Sequence, residues 1–193
     1  MSFTTGTQTE TLYTLPSSVT KNTYTTEAAF SGVAGTNTLC SLDANFFRGT
    51  VPNPVGRSLK LEAHGTIANT AAATFAVNLG LDTAAGTKAN SVTVYAATAP
   101  TAATTAVWNL QAWYTCTAFA TSTFSMQVNG FWTQSATATG AALGSSGLRT
   151  DFQASITGMD PRVQFYIELF GTWSASSASN TTTLLQMFLF GLN

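Results

Sequence analysis

Charge is what this chain has least of. Asp, Glu, Lys and Arg make up 8% of its 193 residues, where soluble domains average about 25%. Seven basic and eight acidic side chains leave a net charge of -1. Sparse ions and near-zero net charge favour association, so much of this surface is expected to be covered by other subunits. Histidine is nearly absent as well. With His64 alone, a multi-histidine metal site has no ligands to draw on. Lys21 is the sole basic side chain before Arg48, which removes the phosphate-neutralising term on which nucleic-acid binding depends. No window approaches the run of about eighteen apolar residues that a membrane span needs. The opening MSFTTGTQTETLYT has neither the basic stretch nor the apolar core of a secretory signal. Nothing points to an oxidising compartment, so Cys40 and Cys116 read first as two free buried thiols, with a disulfide between them as the alternative. The sequence has no G-x-S-x-G, CxxC or phosphate-cradling glycine loop. No catalytic residue, cofactor site or metal site is therefore expected.

What is abundant is Thr and Ala, and Thr is a strand former through its β-branch. The Ala-rich stretches around 97–106 and 135–147 are broken by Thr, Ser, Gly and Pro and read as loops. The most informative stretch is Arg57 to Asp82. Leu59, Leu61 and Ala63 alternate with Ser58, Lys60, Glu62 and His64, and after Gly65 and a small polar run, Phe75, Val77, Leu79 and Leu81 alternate again. Period two means a strand with one face on a core, and the pair is expected to form a hairpin with a long loop. The C-terminal stretch from Arg162 has the same design: Ile167, Glu168, Gly171 and Thr172 repeat Leu61, Glu62, Gly65 and Thr66. A second hairpin is expected there.

Between the two, Ser91 to Ala97 and Phe124 to Gly130 read as strands. In Val107 to Thr117, Trp108, Leu110, Ala112, Tyr114 and Cys116 share one face, with Trp113 on the other. Shorter strands are expected near Ala28 to Ser31, Leu39 to Phe47 and Phe152 to Ile156. Eight or more strands separated by turn signals predict an all-β, two-sheet antiparallel sandwich over residues 25–193 as a single domain. Long strands joined by some long connections favour a jelly roll, with an immunoglobulin-like sandwich as the alternative. Residues 1–24, Thr-rich and interrupted by Pro16, are either a disordered tail or an extended arm that orders against a neighbour through Leu12, Tyr13 and Leu15.

The closing strand breaks the one-wet-face rule for antiparallel sheets. Leu185, Met187 and Leu189 form one apolar face, yet Leu184, Phe188 and Phe190 make the other apolar too, and the preceding strand adds Tyr166 and Phe170. These five residues, together with Trp113, are the candidate subunit interface of a homo-oligomer.

Chemistry is thin. His64 could serve as a general base, but beside Lys60 and Glu62 it reads first as a surface or interface residue. Glu62 and Glu168, at matching places in the two repeats, could form a glycosidase-like carboxylate pair, though pairing with Lys60, Arg57 or Arg162 is the plainer reading. Trp108, Trp113, Tyr114, Trp132 and Trp173 could stack on sugars, or could simply fill core and interface. Asn180 heads the sequence's one glycosylation sequon, in a loop.

The pattern R-x-L-x-L-x-A-x-G from Arg57 to Gly65, the following Thr/Ala loop, the strand TFAVNLGLD, the W-x-L at Trp108 to Leu110 and the apolar C-terminal pair together resemble small structural proteins of tailed-bacteriophage virions. The resemblance spans most of residues 55–193. It implies a jelly-roll subunit, often trimeric, that sits on the capsid surface as a decoration or cement protein, or else in a head fibre or tail. The absence of a fibrous repeat or coiled coil weighs against a fibre. The expectation is a non-enzymatic minor capsid protein that binds the major capsid protein as a homotrimer, with no nucleic acid or membrane partner, and assembles in the host cytoplasm. The alternative is a receptor- or carbohydrate-binding module of a phage tail or fibre.

Overall fold

The structure is a computed structural model, and it describes residues 9–22, 28–29, 40–47, 54–68, 74–87, 90–98, 106–135, 148–178 and 180–192. The expected loops at 97–106 and 135–147 and the first eight residues of the arm fall largely outside that range. The described residues form twelve strands: β1 (Thr9–Thr14), β2 (Val19–Asn22), β3 (Ala28–Ala29), β4 (Cys40–Leu42), β5 (Ser58–Ala68), β6 (Thr74–Asp82), β7 (Ser91–Thr98), β8 (Ala106–Phe119), β9 (Phe124–Gln134), β10 (Leu148–Met159), β11 (Phe165–Trp173) and β12 (Thr181–Leu192).

All pairings are antiparallel, and they fall into two sheets. The larger runs β1-β12-β5-β8-β9-β10 with β2 also on β12, and the smaller runs β3-β11-β6-β7 with β4 also on β11. The pairings nest: the first strands meet the last (β1 and β2 with β12), the next meet the next to last (β3 and β4 with β11), and β5 with β8 and β6 with β7 close the interior. Rolling this nested ribbon brings β12 against β5 and β11 against β6. That order is the jelly roll, with β9 and β10 added beside β8.

The two similar stretches are therefore not hairpins. β5 lies in the larger sheet and β6 in the smaller, and β11 and β12 are divided the same way. Each stretch is an arch from one sheet to the other, and the two arches pair with each other, Leu61 opposite Leu189 and Leu79 opposite Leu169. Period-two patterning reports that a strand has a buried face. It does not report which sheet the face belongs to.

The core fills the space between the sheets. Leu59, Leu61, Trp108, Leu110, Tyr114, Met126, Val128 and Leu189 face it from one side, and Phe75, Val77, Leu79, Phe165, Ile167 and Trp173 from the other, all essentially buried. Cys40 and Cys116 are buried and unpaired. Gly65 is required by its setting. A Cβ there would lie 1.9 Å from the Thr183 carbonyl oxygen and 2.6 Å from the Trp108 ring, which itself stacks on Trp132 at 4.7 Å.

Within residues 9–22 the expected arm belongs to the sandwich. β1 and β2 pair with β12, and the Leu15 amide donates to the Met187 carbonyl at 2.9 Å. Leu15 is buried, and Leu12 and Tyr13 pack against the core. These three apolar residues order the segment against its own chain, which corrects both readings of it.

Candidate interaction face

The six residues expected at a subunit interface do not share one surface. Leu184 is fully buried in the core. The reason is a β-bulge in β12: Leu184 pairs with Gly65 and Gln186 with His64, leaving Leu185 as an extra residue. The bulge shifts the alternation by one, so Leu184, Met187 and Leu189 all face inward and Leu185 is 42% exposed. Phe170 lies on the outer side of the smaller sheet but is 3% exposed, with its ring over Gly80, close to the turn after β6. Tyr166 is half-buried on that outer side and donates to Gln164. Phe188, Phe190 and Trp113 are half-buried on the outer face of the larger sheet. The chain's own fold thus accounts for Leu184 and Phe170, and three aromatics remain together on one face.

That face is organised in two adjacent rungs across five strands. One reads Phe190, Lys60, Trp113, Asn129, Gln153, and the other Phe188, Glu62, Gln111, Phe131, Asp151. At about 4.8 Å between strands, each rung is about 19 Å long. Phe188 and Phe190 stack at 6.0 Å. The Lys60 ammonium reaches Glu62 at 2.6 Å and lies 5.6 Å from the centre of the Trp113 ring. Trp113 and Phe131 are 6.1 Å apart, the Arg149 guanidinium covers Phe131 at 4.3 Å, and Arg149 meets Asp151 at 2.8 Å. Lys60 on the rungs and Arg149 next to them are thus each matched by a carboxylate, and both pairs are exposed enough to be worth at most about 1 kcal/mol. Toward β10 the face opens into a groove of about 640 Å³ lined by Trp113, Asn129, Gly130, Phe131, Arg149, Asp151, Phe152 and Gln153.

The other candidates separate. Glu62 and Glu168 stand on different sheets and form no carboxylate pair. Glu62 is held by Lys60, as the plainer reading expects, whereas Glu168 is 2% exposed and accepts the Gly86 amide at 2.7 Å. Burial pushes the Glu168 carboxyl up, the Gly86 amide lowers it, and nearby Asp82 raises it again. Burial likewise pushes up the Cys40 thiol and the Tyr114 phenol, so both stay neutral. Trp108, Tyr114, Trp132 and Trp173 are core residues, and of the aromatics considered for sugar stacking only Trp113 meets solvent. Asn180 is fully buried and donates its side-chain amide to the Ala175 carbonyl at 2.8 Å. His64 sits on the outer face of β5, opposite Asn109 and Gln186. Among the described residues, no three His, Cys, Asp or Glu side chains converge as metal ligands, and no helix is long and apolar enough to cross a membrane.

Sequence reasoning missed the groove, because its residues lie on three strands whose register patterning cannot supply. The one legible signal was Trp113 standing on the polar side of its strand. No family model matches this chain, and no curated protein matches it by sequence. Among solved structures it is similar to arcelin-5, a lectin-like defense protein from Phaseolus vulgaris, at 8% identity over 95% of this chain and 98% of that one, with a TM-score of 0.37.

Proposed function

We propose that this chain is a non-enzymatic virion structural protein, a capsid decoration or cement subunit of a tailed bacteriophage, which assembles as a homotrimer on the major capsid protein. The observation that carries the reading is the stacked Phe188–Phe190 pair left half-buried on the outer face of the larger sheet, in a chain with 8% charged residues. A half-covered, stacked aromatic pair has the composition of an interface centre, where aromatics are enriched, and Trp113 stands on the same face two strands away, across the Lys60–Glu62 pair. Lys60 with Glu62, and Arg149 with Asp151, carry both signs on the same face, so a second copy meets no like-charged patch. A head-to-tail contact that closes after three copies forms a ring.

Such a subunit would stabilise a shell mechanically, by burying surface across the joints between capsid proteins. A standard contact covers about 800 Å² per partner. It would reside on the capsid surface after assembly in the host cytoplasm. Two measurements test the reading. Light scattering of the purified protein should give about three times the 20.2 kDa chain mass. The protein should also co-sediment with capsids that lack tails. A stable monomer that ignores such capsids is the opposing result.

A further inference from the structure

We propose that the groove across β8, β9 and β10 is a binding site for a neutral oligosaccharide. It goes beyond the capsid reading and does not rest on it. The groove begins two strands away from the Phe188–Phe190 pair, with β5 between, and shares Trp113 and the Arg149–Asp151 pair with the proposed assembly face.

Three features select the ligand class. The first is a ring platform. Trp113 is half-exposed and directly opposite Asn129, so an apolar face and a planar amide stand within one strand spacing. A pyranose offers the matching pair, a C–H face for the ring and hydroxyls for the amide. The second is the density of two-way hydrogen-bonding groups. Asn129 and Gln153 are direct cross-strand neighbours and both exposed. Each side chain donates and accepts, which suits a hydroxyl that does both. The third is electrical balance. Arg149 and Asp151 hold each other at 2.8 Å, so the groove has no unmatched cation to recruit a phosphate, sulfate or carboxylate. Those are sought by free guanidinium forks. At about 640 Å³ the groove lies within the range of small-molecule sites, and its walls mix the aromatic rings of Trp113, Phe131 and Phe152 with polar side chains.

The four tryptophans supply a built-in reporter, because Trp108, Trp132 and Trp173 are fully buried. A change in tryptophan emission on adding sugar therefore reads Trp113. The full-length protein is titrated with maltohexaose, cellohexaose, N-acetylchitohexaose and galactan oligomers, and binding is confirmed by calorimetry. At least one should bind with Kd between about 10 μM and 1 mM. By calorimetry, Trp113→Ala should weaken it about ten-fold or more. Gln153→Ala, at an exposed position on the edge strand β10, should weaken it about three-fold without lowering the melting temperature. The proposal is overturned if none of these sugars changes the emission or heat up to about 10 mM, if both variants bind as the parent does, or if a sulfated oligosaccharide outcompetes every neutral one. A chain that binds sugar yet stays monomeric supports this site and removes the assembly reading.

Discussion

Leu184 and Met187 stand three residues apart on one strand and yet face the same side, both fully buried in the core. Strict alternation would place them on opposite faces. The extra residue at Leu185 absorbs the difference. The bulge explains why the last strand reads as apolar on both sides: part of that signal is one core face written in two phases.

Leu184 and Leu185 should therefore respond in opposite ways to truncation. Leu184→Ala is expected to cost about 2–5 kcal/mol, the usual loss for emptying a core leucine site. Leu185→Ala should stay within about 0.5 kcal/mol, as surface changes do. Chemical denaturation of both variants checks this, and equal losses would remove the bulge from the account.

Gly65 is opposite the same bulge. A methyl group there meets the Thr183 carbonyl and the Trp108 ring, neither of which can yield without disturbing the pairing of β5 with β12 or the Trp108–Trp132 stack. Gly65→Ala should cost at least about 3 kcal/mol or prevent folding. Gly56→Asn is the control. At φ +91 with open space around it, that position should tolerate the change at about 1 kcal/mol.

Phe188 and Phe190 should matter for assembly more than for folding. The double variant Phe188→Thr with Phe190→Thr puts β-branched strand formers at both positions and removes the stacked pair. Light scattering is expected to move toward the 20.2 kDa chain mass, with the far-ultraviolet dichroism of a β protein retained. Unchanged mass at micromolar concentration would sink the trimer contact.

Glu168 should make stability depend on pH. Its carboxyl is raised above the ordinary value by burial, with Asp82 adding to the effect and the Gly86 amide opposing it. A raised folded-state value means that the protonated form favours folding. The contribution is fully present below the ordinary carboxylate value of about 4.3 and is lost as pH rises through the folded-state value. Glu168→Gln keeps an acceptor for Gly86 and removes the buried charge. It should melt above the parent at pH 7, with the gap narrowing as the pH falls. Parallel melting curves across that window would argue against the assignment.

How much of this was legible differs by level. The buried faces of β5, β6 and β8 follow from alternation, and the structure buries those residues. The jelly-roll sandwich was legible from strand number and connection length. The arches were not. A strand followed by a polar loop and another strand looks the same whether the chain turns back within a sheet or crosses to the other. The outward placement of the expected aromatic residues was half legible. Trp113, Phe188 and Phe190 do face outward, whereas the bulge turns Leu184 into the core and the chain's own packing covers Phe170 on the outer side of the smaller sheet.

The sequence by itself determined that this protein is all β and poor in ions, because composition and period-two patterning are properties of each segment alone. Tertiary structure decided which strands are neighbours. Register across five strands lines up Phe190, Lys60, Trp113, Asn129 and Gln153, residues far apart in the chain, and a single inserted leucine sets which side of the last strand meets the core. Those outcomes depend on long-range hydrogen-bond pairing, which no local stretch encodes.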